Sequence, residues 1–578
     1  MISTISIDQL RKEGEVPEWM GQESLSTLSR GYLLEDETPK GMYSRLAHAA
    51  AVRLDRPDLE SRFFDLMWKN WLCPASPVCS NMGTDRGLVI SCYGSYIPDS
   101  VDGIFDSMHE TAMLSKYGGG LGHYWGDVRG RGVSINGNGA SEGIVPWLKV
   151  EDVVISSVSQ GGVRRGSSAS YLPVRHPDIE EFLDIRRQTG DESRRCRSVG
   201  FHHGIIFDND FMNEVETGGT EERRIWSRFL KARWEMGEPY AMFKDAANAD
   251  IPEAYRNNNL DVKTSQLCTE IFLHNDADHT FVCCLSSMNL ARYDEWKNTD
   301  AVELATYFLD GVMEEFIQRA RHRIGMTKAL RFAEKSRALG LGVLGWHSLL
   351  QSKMIPFESF EAMILNAEIF RHLNDMSLQA SQKLAIEYGE PLWCQGTGTR
   401  NTHRLAIAPT LSNSIISGGL SEGIQPIVAN VYVNKTAKGT FLRRNPALEV
   451  LLESKGKNIN SVWDRINQDR GSVRNVDCLS NDEKEIFLTA RELNQFALVR
   501  QAAQRQKYID QGQSLNLFFS SPLSGDPKAA EDVGRYVHEV HMEAWRTGLK
   551  SLYYMRTESP LQNDLLTRSA SDCLACEG

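Results

Sequence analysis

Apolar positions follow one rhythm up to about Trp71 and another from Cys73 onward. Residues 1–72 read as a helical region, clearest over Tyr43 to Leu54 and Phe63 to Trp71. Beyond it, short apolar runs such as Gly87–Cys92, Val199–Phe207 and Leu405–Ala408 alternate with longer amphipathic stretches. Within Ala301–Ala320, Leu304, Phe308, Val312 and Phe316 share one face of a helix. Val537, Val540 and Ala544 predict another over Gly534–Thr547, with Gly548 placed to end it. Leu549–Met555 then reads as a strand. Strand and helix signals alternate without a linker, which argues for one large α/β domain over residues 73–558. The final stretch, 559–578, has no period and reads as a mobile tail.

Composition narrows the function classes. Of 578 residues, 41% are hydrophobic and 24% charged, and the mean hydropathy is -0.37. These values exclude a disordered, collagenous or membrane-spanning chain. With 64 basic against 76 acidic residues, the net charge of -12 repels nucleic-acid backbones. A local pocket can still take single nucleotides. No secretory signal is visible and no apolar run approaches the ~18 residues that span a bilayer, so a cytoplasmic protein is expected. Eleven cysteines are too sparse for a disulfide scaffold. They point to thiols used as reagents.

Several motifs could carry such chemistry. Cys573 and Cys576 stand three apart near the end of the chain, spacing suited to thiol–disulfide exchange, and no second pair completes a zinc knuckle. In Ser265–Glu270, Cys268 lies two residues before Glu270, so an extended segment would put a carboxylate beside a sulfur. Cys283 and Cys284 on a strand face opposite ways, so at most one can join a site. Tyr117–Gly122 is either a phosphate cradle or a tight turn, since it lacks dinucleotide spacing. Thr410, Ser412, Asn413 and Ser414 crowd hydroxyls and an amide where a helix could begin, giving an anion site or an overpopulated cap. Tyr553 and Tyr554, taken alone, are ordinary strand aromatics. His538-Glu539-Val540-His541 has the wrong spacing for a zinc protease and reads as structural.

Together, in this order from about residue 25 onward, these pieces resemble the large catalytic subunit of class I ribonucleotide reductase. The resemblance rests on Ile90-Ser91-Cys92 followed by Asp99, Ser159-Gln160-Gly161-Gly162-Val163-Arg164, the Cys268-Thr269-Glu270 finger, Cys283 with Leu285-Ser286, Pro409–Ser414, Lys550–Tyr554 and the cysteine tail. It implies a ten-stranded α/β barrel of two parallel five-stranded halves with a central finger loop, preceded by a small helical region. Cys268 would be the transient thiyl, Glu270 the acid/base group, and Cys92 with Cys283 the reducing thiols. Cys573 and Cys576 would recharge that pair from thioredoxin or glutaredoxin. The remaining cysteines, Cys73, Cys79, Cys196, Cys284, Cys394 and Cys478, would be packing.

The resemblance further implies a substrate site of Ser76, Ser91, Gly120, Thr410, Ser412, Asn413 and Ser414 for ribonucleoside diphosphates. Asp99, Arg129 and Arg164 would bind a dNTP or ATP effector with Mg2+ at a homodimer interface. Tyr553 and Tyr554 would pass a radical from a separate metal-bearing small (beta) subunit, with no catalytic metal in this chain. Stacking adjacent tyrosines requires an irregular backbone, because a regular strand would point them apart. Two residues depart from the family's pattern. Gln266 stands where asparagine is usual, lengthening the amide's reach, and Leu411 stands where many relatives have glutamate. The alternatives are an adenosylcobalamin-dependent class II enzyme, a glycyl radical enzyme (for which no glycyl loop is recognisable), and an inactive nucleotide-binding scaffold.

The family's N-terminal ATP cone is not expected in this sequence. Added dNTPs should retune substrate preference, and a dATP titration should leave turnover intact rather than abolish it.

Overall fold

Four helices, Ile7–Lys12, Gln22–Leu28, Pro39–Arg53 and Glu60–Trp68, precede the first strand, β1 (Leu72–Pro74). The computed structural model describes residues 6–161, 164–436, 439–521 and 527–558. Ser6 and Thr38 cap two of these helices through their side chains, and Pro39 opens the longest where its missing N–H costs nothing. Their apolar faces join the main core through Leu46, Ala50, Phe63 and Met67.

Five strands then form the first half of a barrel: β2 (Cys92–Tyr96), β3 (Gly120–Tyr124), β4 (Ser168–Pro173), β5 (Phe201–Phe207) and β6 (Tyr240–Phe243). Each pairs parallel with the next. The second half is built from β8 (Leu285–Asn289) parallel to β9 (Gly340–Leu344), continued by parallel bridges from Leu341 to Leu405 and from Ile407 to Gln513. After an antiparallel pair, β10 (Val431–Thr436) with β11 (Gly439–Arg444), β12 (Leu517–Phe518) pairs parallel with β14 (Met555–Arg556) and completes the second half. Two chain segments close the barrel. β7 (Phe281–Cys283) runs antiparallel to β2 and passes through Cys284 into β8. β13 (Ser551–Leu552) runs antiparallel to β6 and passes through Tyr553 and Tyr554 into β14.

This is the ten-stranded architecture expected, with three local differences. The apolar run from Gly87 becomes a strand only at Cys92. Leu405–Ala408 is held by single bridges rather than a regular ladder. Its bonds are Ala406 N–H to the Leu341 carbonyl (3.2 Å) and Ile407 N–H to the Gly512 carbonyl (3.0 Å). Ala301–Ala320 is buried on nearly every side, not one face, because it lies between the barrel, the N-terminal helices and the helix Phe360–Tyr388. A separate small core, including Leu448, Leu452, Trp463, Ile466 and Phe487, supports a helical satellite outside the barrel. No helix among the described residues is long and apolar enough to cross a membrane.

Residues 264–275, buried throughout and without strand structure, thread the barrel as the finger. Glycines make the room. A Cβ on Gly122 would lie 2.3 Å from the Ser265 carbonyl oxygen and 2.6 Å from Gln266 Cα. On the opposite half, a Cβ on Gly512 would meet the Phe272 ring at 2.3 Å, while its own N–H donates to the Glu270 carbonyl at 2.8 Å. The Gly122→Ala variant must push the finger backbone aside. It should lose about 1–3 kcal/mol of stability, as overpacked interiors do, and most of its turnover; denaturant unfolding and activity assays check both.

Candidate active site

The sequence brings Cys92 and Cys283 together through strand register: they are direct partners across β2 and β7. Cross-strand partners have Cα spacings that fall within the range a disulfide tolerates. Both are free thiols here, and the Cys92 N–H donates to Cys283 Sγ at 2.9 Å. The finger delivers the third sulfur, for the Cys268 and Cys283 thiols both hydrogen-bond to that of Cys92. Alternation sends Cys284 the other way, its thiol toward the Leu309 carbonyl at 3.4 Å.

Cys268 and Glu270 do not share a face of an extended segment, as the spacing alone suggests. Thr269 between them has φ +66°, a left-handed conformation that is strained for a β-branched residue. The finger must reverse inside the barrel, and this turn does it, braced by Ser551 Oγ donating to the Thr269 carbonyl at 2.8 Å. Ser514 Oγ lies 2.5 Å from the Cys268 carbonyl and 3.0 Å from Glu270 Oε2. Tyr171 OH fixes the finger's other limb through the Gln266 carbonyl at 2.6 Å.

The four side chains are buried. Cys268 is 3% exposed, Cys92 2%, Cys283 1% and Glu270 1%. Burial, reinforced by negative charge on Cys92, pushes the Glu270 carboxyl up to about 8. The Cys92 thiol is held well below the ordinary thiol range, first by hydrogen bonds from Cys268 and Cys283, then by the Arg164 charge and the Gln266 amide. Cys283 is pushed up by burial and by its neighbour. One carboxyl and two thiols shifted in opposite directions thus lie together inside the barrel with Cys268 beside them, which suits them to move protons and to exchange electrons as a dithiol.

At the second seam, the regular strand stops at Leu552 and resumes at Met555. In that break the Tyr553 and Tyr554 rings meet at 4.3 Å between centroids. Tyr553 is the inner of the two, 2% exposed, and its N–H donates to the Leu515 carbonyl at 2.9 Å. Arg556 places its guanidinium over the Tyr554 ring at 4.1 Å.

Two family profiles account for almost the whole chain. One, described as "Ribonucleotide reductase, all-alpha domain", matches residues 19–87. The other, "Ribonucleotide reductase, barrel domain", matches residues 90–222, 219–396 and 393–555.

The chain belongs to the ribonucleotide reductase large-subunit family.

Among its relatives, a putative ribonucleoside-diphosphate reductase large subunit of Frog virus 3 is 38% identical, over 90% of this chain and 93% of the relative. The ribonucleoside-diphosphate reductase large subunit of Invertebrate iridescent virus 3 is 33% identical, over 96% and 98%. Among solved structures, the Actinobacillus ureae class Id ribonucleotide reductase alpha subunit superposes with a TM-score of 0.86 at 40% identity, covering 94% of this chain and 99% of that one. Similarity to a class I alpha subunit favours class I over the cobalamin-dependent alternative.

The remaining residues expected from the reductase resemblance divide by place. Thr410, with φ +62°, turns the chain into a helix over Leu411–Ile416. Its hydroxyl accepts from the Gly423 N–H at 2.7 Å and lies 3.1 Å from Ser414 Oγ. Asn413 donates to the Pro74 carbonyl at 3.2 Å. Ser412 and Ser76 both reach the buried Tyr32 hydroxyl, which joins the N-terminal helices to this loop. Ser91 is buried beside Cys92. Gly120 faces the finger, where an added Cβ would lie 2.9 Å from Leu267 and 3.4 Å from Cys92 Sγ. Tyr117–Gly122 is thus a turn followed by close packing of β3 on the finger.

Asp99 and Arg129 pair at 2.8 Å beyond the far end of β2. Arg164, grouped with them from the sequence, is not there. It is buried and donates to the Ser91 carbonyl at 3.4 Å, at the near end of β2 beside Cys92. Cys573 and Cys576 lie outside the described residues.

Sequence reasoning missed the brace at the finger's exit. His274 and His279 each meet a different oxygen of Asp276, at 3.0 and 2.9 Å. Lys335 Nζ stands 2.9 Å from the other His279 nitrogen. The spacing of His274, Asp276 and His279 offered a signal, but the lysine that completes the group is remote in sequence.

Glu270 also sets a pH dependence. The native carboxyl holds its proton up to about 8, whereas the unfolded one releases it near the ordinary glutamate value. Between those limits the native state binds more protons, so stability falls as pH rises. Relative to Glu270→Gln, the wild type should lose up to about 1.4 kcal/mol per pH unit across that window. Urea midpoints of both proteins, measured as a pH series, provide the check.

Proposed function

We propose that this chain reduces ribonucleoside diphosphates to 2′-deoxyribonucleoside diphosphates through a radical on Cys268. The observation carrying this reading is the burial of Cys268, Cys92, Cys283 and Glu270 together inside the barrel. As a class I large subunit, the chain works with a radical-supplying beta subunit and a thioredoxin- or glutaredoxin-type reductant. The radical passes by way of Tyr554 and Tyr553 to Cys268, leaving a thiyl that takes the hydrogen from C3′ of the ribose. Glu270 accepts the 3′-hydroxyl proton; its pKa near working pH lets it take and return that proton. A proton delivered through Cys92 goes to the departing 2′-hydroxyl, which leaves as water. Cys283 then gives its hydrogen atom to C2′ and bonds to Cys92. The extra electron of that disulfide passes to the 3′-carbonyl as Glu270 returns its proton to the oxygen, and Cys268 returns the hydrogen to C3′, which restores the thiyl. Exchange with Cys573 and Cys576 reopens the pair. Exclusion of water and stray hydrogen donors keeps the thiyl alive long enough to react.

The Gln266 amide nitrogen is buried near Cys92 and Glu270 without a hydrogen-bond partner, which supports a role in receiving the sugar hydroxyls. Thr410, Ser412, Asn413 and Ser414, with Ser76 nearby, would receive the diphosphate. Asp99 and Arg129 would take a dNTP or ATP effector with Mg2+. The helices flanking that pair support a homodimer, because they leave Val101 60%, Phe105 52% and Val153 59% exposed on one side of the barrel. Arg164, beside Cys92, would read the substrate end of the loop rather than the effector.

With a beta subunit and a thioredoxin system, the chain should reduce CDP; without the beta subunit it should not. Cys268→Ser should abolish turnover while leaving the fold intact, read by circular dichroism. Retained turnover in that variant would sink the radical assignment.

A further inference from the structure

A third phenol stands in the second seam. β13 pairs with β6 so that Ser551 lies opposite Met242 and Leu552 opposite Ala241. Continuing that register by one step sets Tyr553 against Tyr240. The rings meet accordingly, Tyr240 to Tyr553 at 4.9 Å and 48°. Tyr240 also meets Tyr554 edge-on, at 5.1 Å and 89°. With the 4.3 Å contact between Tyr553 and Tyr554, the three rings form a closed triangle.

The surroundings hold the triangle rigid. Arg233 donates to the carbonyls of both Pro239 and Tyr553, and the Met555 N–H donates to the Gly237 carbonyl at 2.9 Å. His202 stacks on Tyr240 at 6.0 Å and meets Tyr554 edge-on at 6.1 Å, with its own Nδ1 3.2 Å from Glu238. Tyr240 is fully buried. Three phenols of the same chemistry in mutual contact differ in ease of oxidation only through their environments. The Arg556 cation over Tyr554 opposes electron loss from that ring and so favours the two inner ones.

We propose that Tyr240 is a third redox-active tyrosine, sharing the radical with Tyr553 and Tyr554. In the step, the Tyr240 phenol gives one electron and one proton to a phenoxyl on Tyr553 or Tyr554. The Tyr240 O–H bond breaks, an O–H bond forms on the acceptor, and the reverse step returns the radical. No oxidant is needed beyond the radical that the beta subunit supplies. The inference rests on the reading of Tyr553 and Tyr554 as the radical path, so its test must separate the two.

The test places 3-aminotyrosine, a phenol that is easier to oxidise, at position 240, 553 or 554 of the full chain, one position at a time. Each variant is mixed with the beta subunit, CDP and a dNTP effector and followed by electron paramagnetic resonance. An aminotyrosyl signal should grow at all three positions at the expense of the beta subunit's radical. Signals at 553 and 554 with none at 240 would overturn the proposal and leave the path standing. A signal at none of the three would remove the path and this proposal together. Tyr240→Phe, which keeps the ring and its packing, should lower kcat for CDP while leaving KM unchanged; an undiminished kcat counts against the third phenol.

Discussion

Backbone-on-backbone contact between the finger and the barrel wall is the constraint on which the site depends. A loop of twelve buried residues can enter the barrel only where the wall has no side chains, and Gly122 and Gly512 provide that on opposite halves. The finger's polar backbone groups must also find partners inside, since an unmet one would be costly. They do so through Tyr171, Ser514, Ser551 and the Gly512 amide. These lie on three separate segments of the wall, β4, residues 512–514 and β13, so the finger's position is set by distant parts of the barrel rather than by its own sequence.

The electrostatics follow from the same enclosure. With water excluded, a carboxyl prefers to stay neutral, and charge concentrates on the thiol with the most hydrogen-bond donors. The distinct acidities of Glu270, Cys92 and Cys283 therefore come from position, since two of the three are the same residue type. Strain is found here too. Thr269 and Thr410 both hold left-handed backbone, one at the turn of the finger and one ahead of the hydroxyl-rich helix, and surrounding contacts hold each in place.

Much of this was legible in the sequence where one residue's neighbours decide the outcome. Helix Pro527–Arg546 ends before Gly548, Cys283 and Cys284 divide by simple alternation, and a stacked tyrosine pair demands a broken strand. Legibility failed where partners are distant. Leu405–Ala408 showed as a short apolar run, but Gln513 sits in a polar stretch and joins the barrel by an isolated bridge, with no apolar pattern to read. Thr269 gave no local sign of its turn, because a β-branched residue disfavours that conformation. The resemblance grouped Arg164 with Asp99 and Arg129, but they stand at opposite ends of β2. The Lys335 contact with His279 and the ring of Tyr240 against Tyr553 exist only once the sheet has closed.

The strand that carries Cys283 does double duty, since it is also one of the two joints between the half-barrels. Only three residue pairs link β7 to β2, and Cys92 with Cys283 is one of them. A disulfide there is a rivet driven through the joint, and its reduction withdraws the rivet. On the proposed mechanism, oxidising and reducing this pair in every catalytic cycle would stiffen and relax the scaffold once per product.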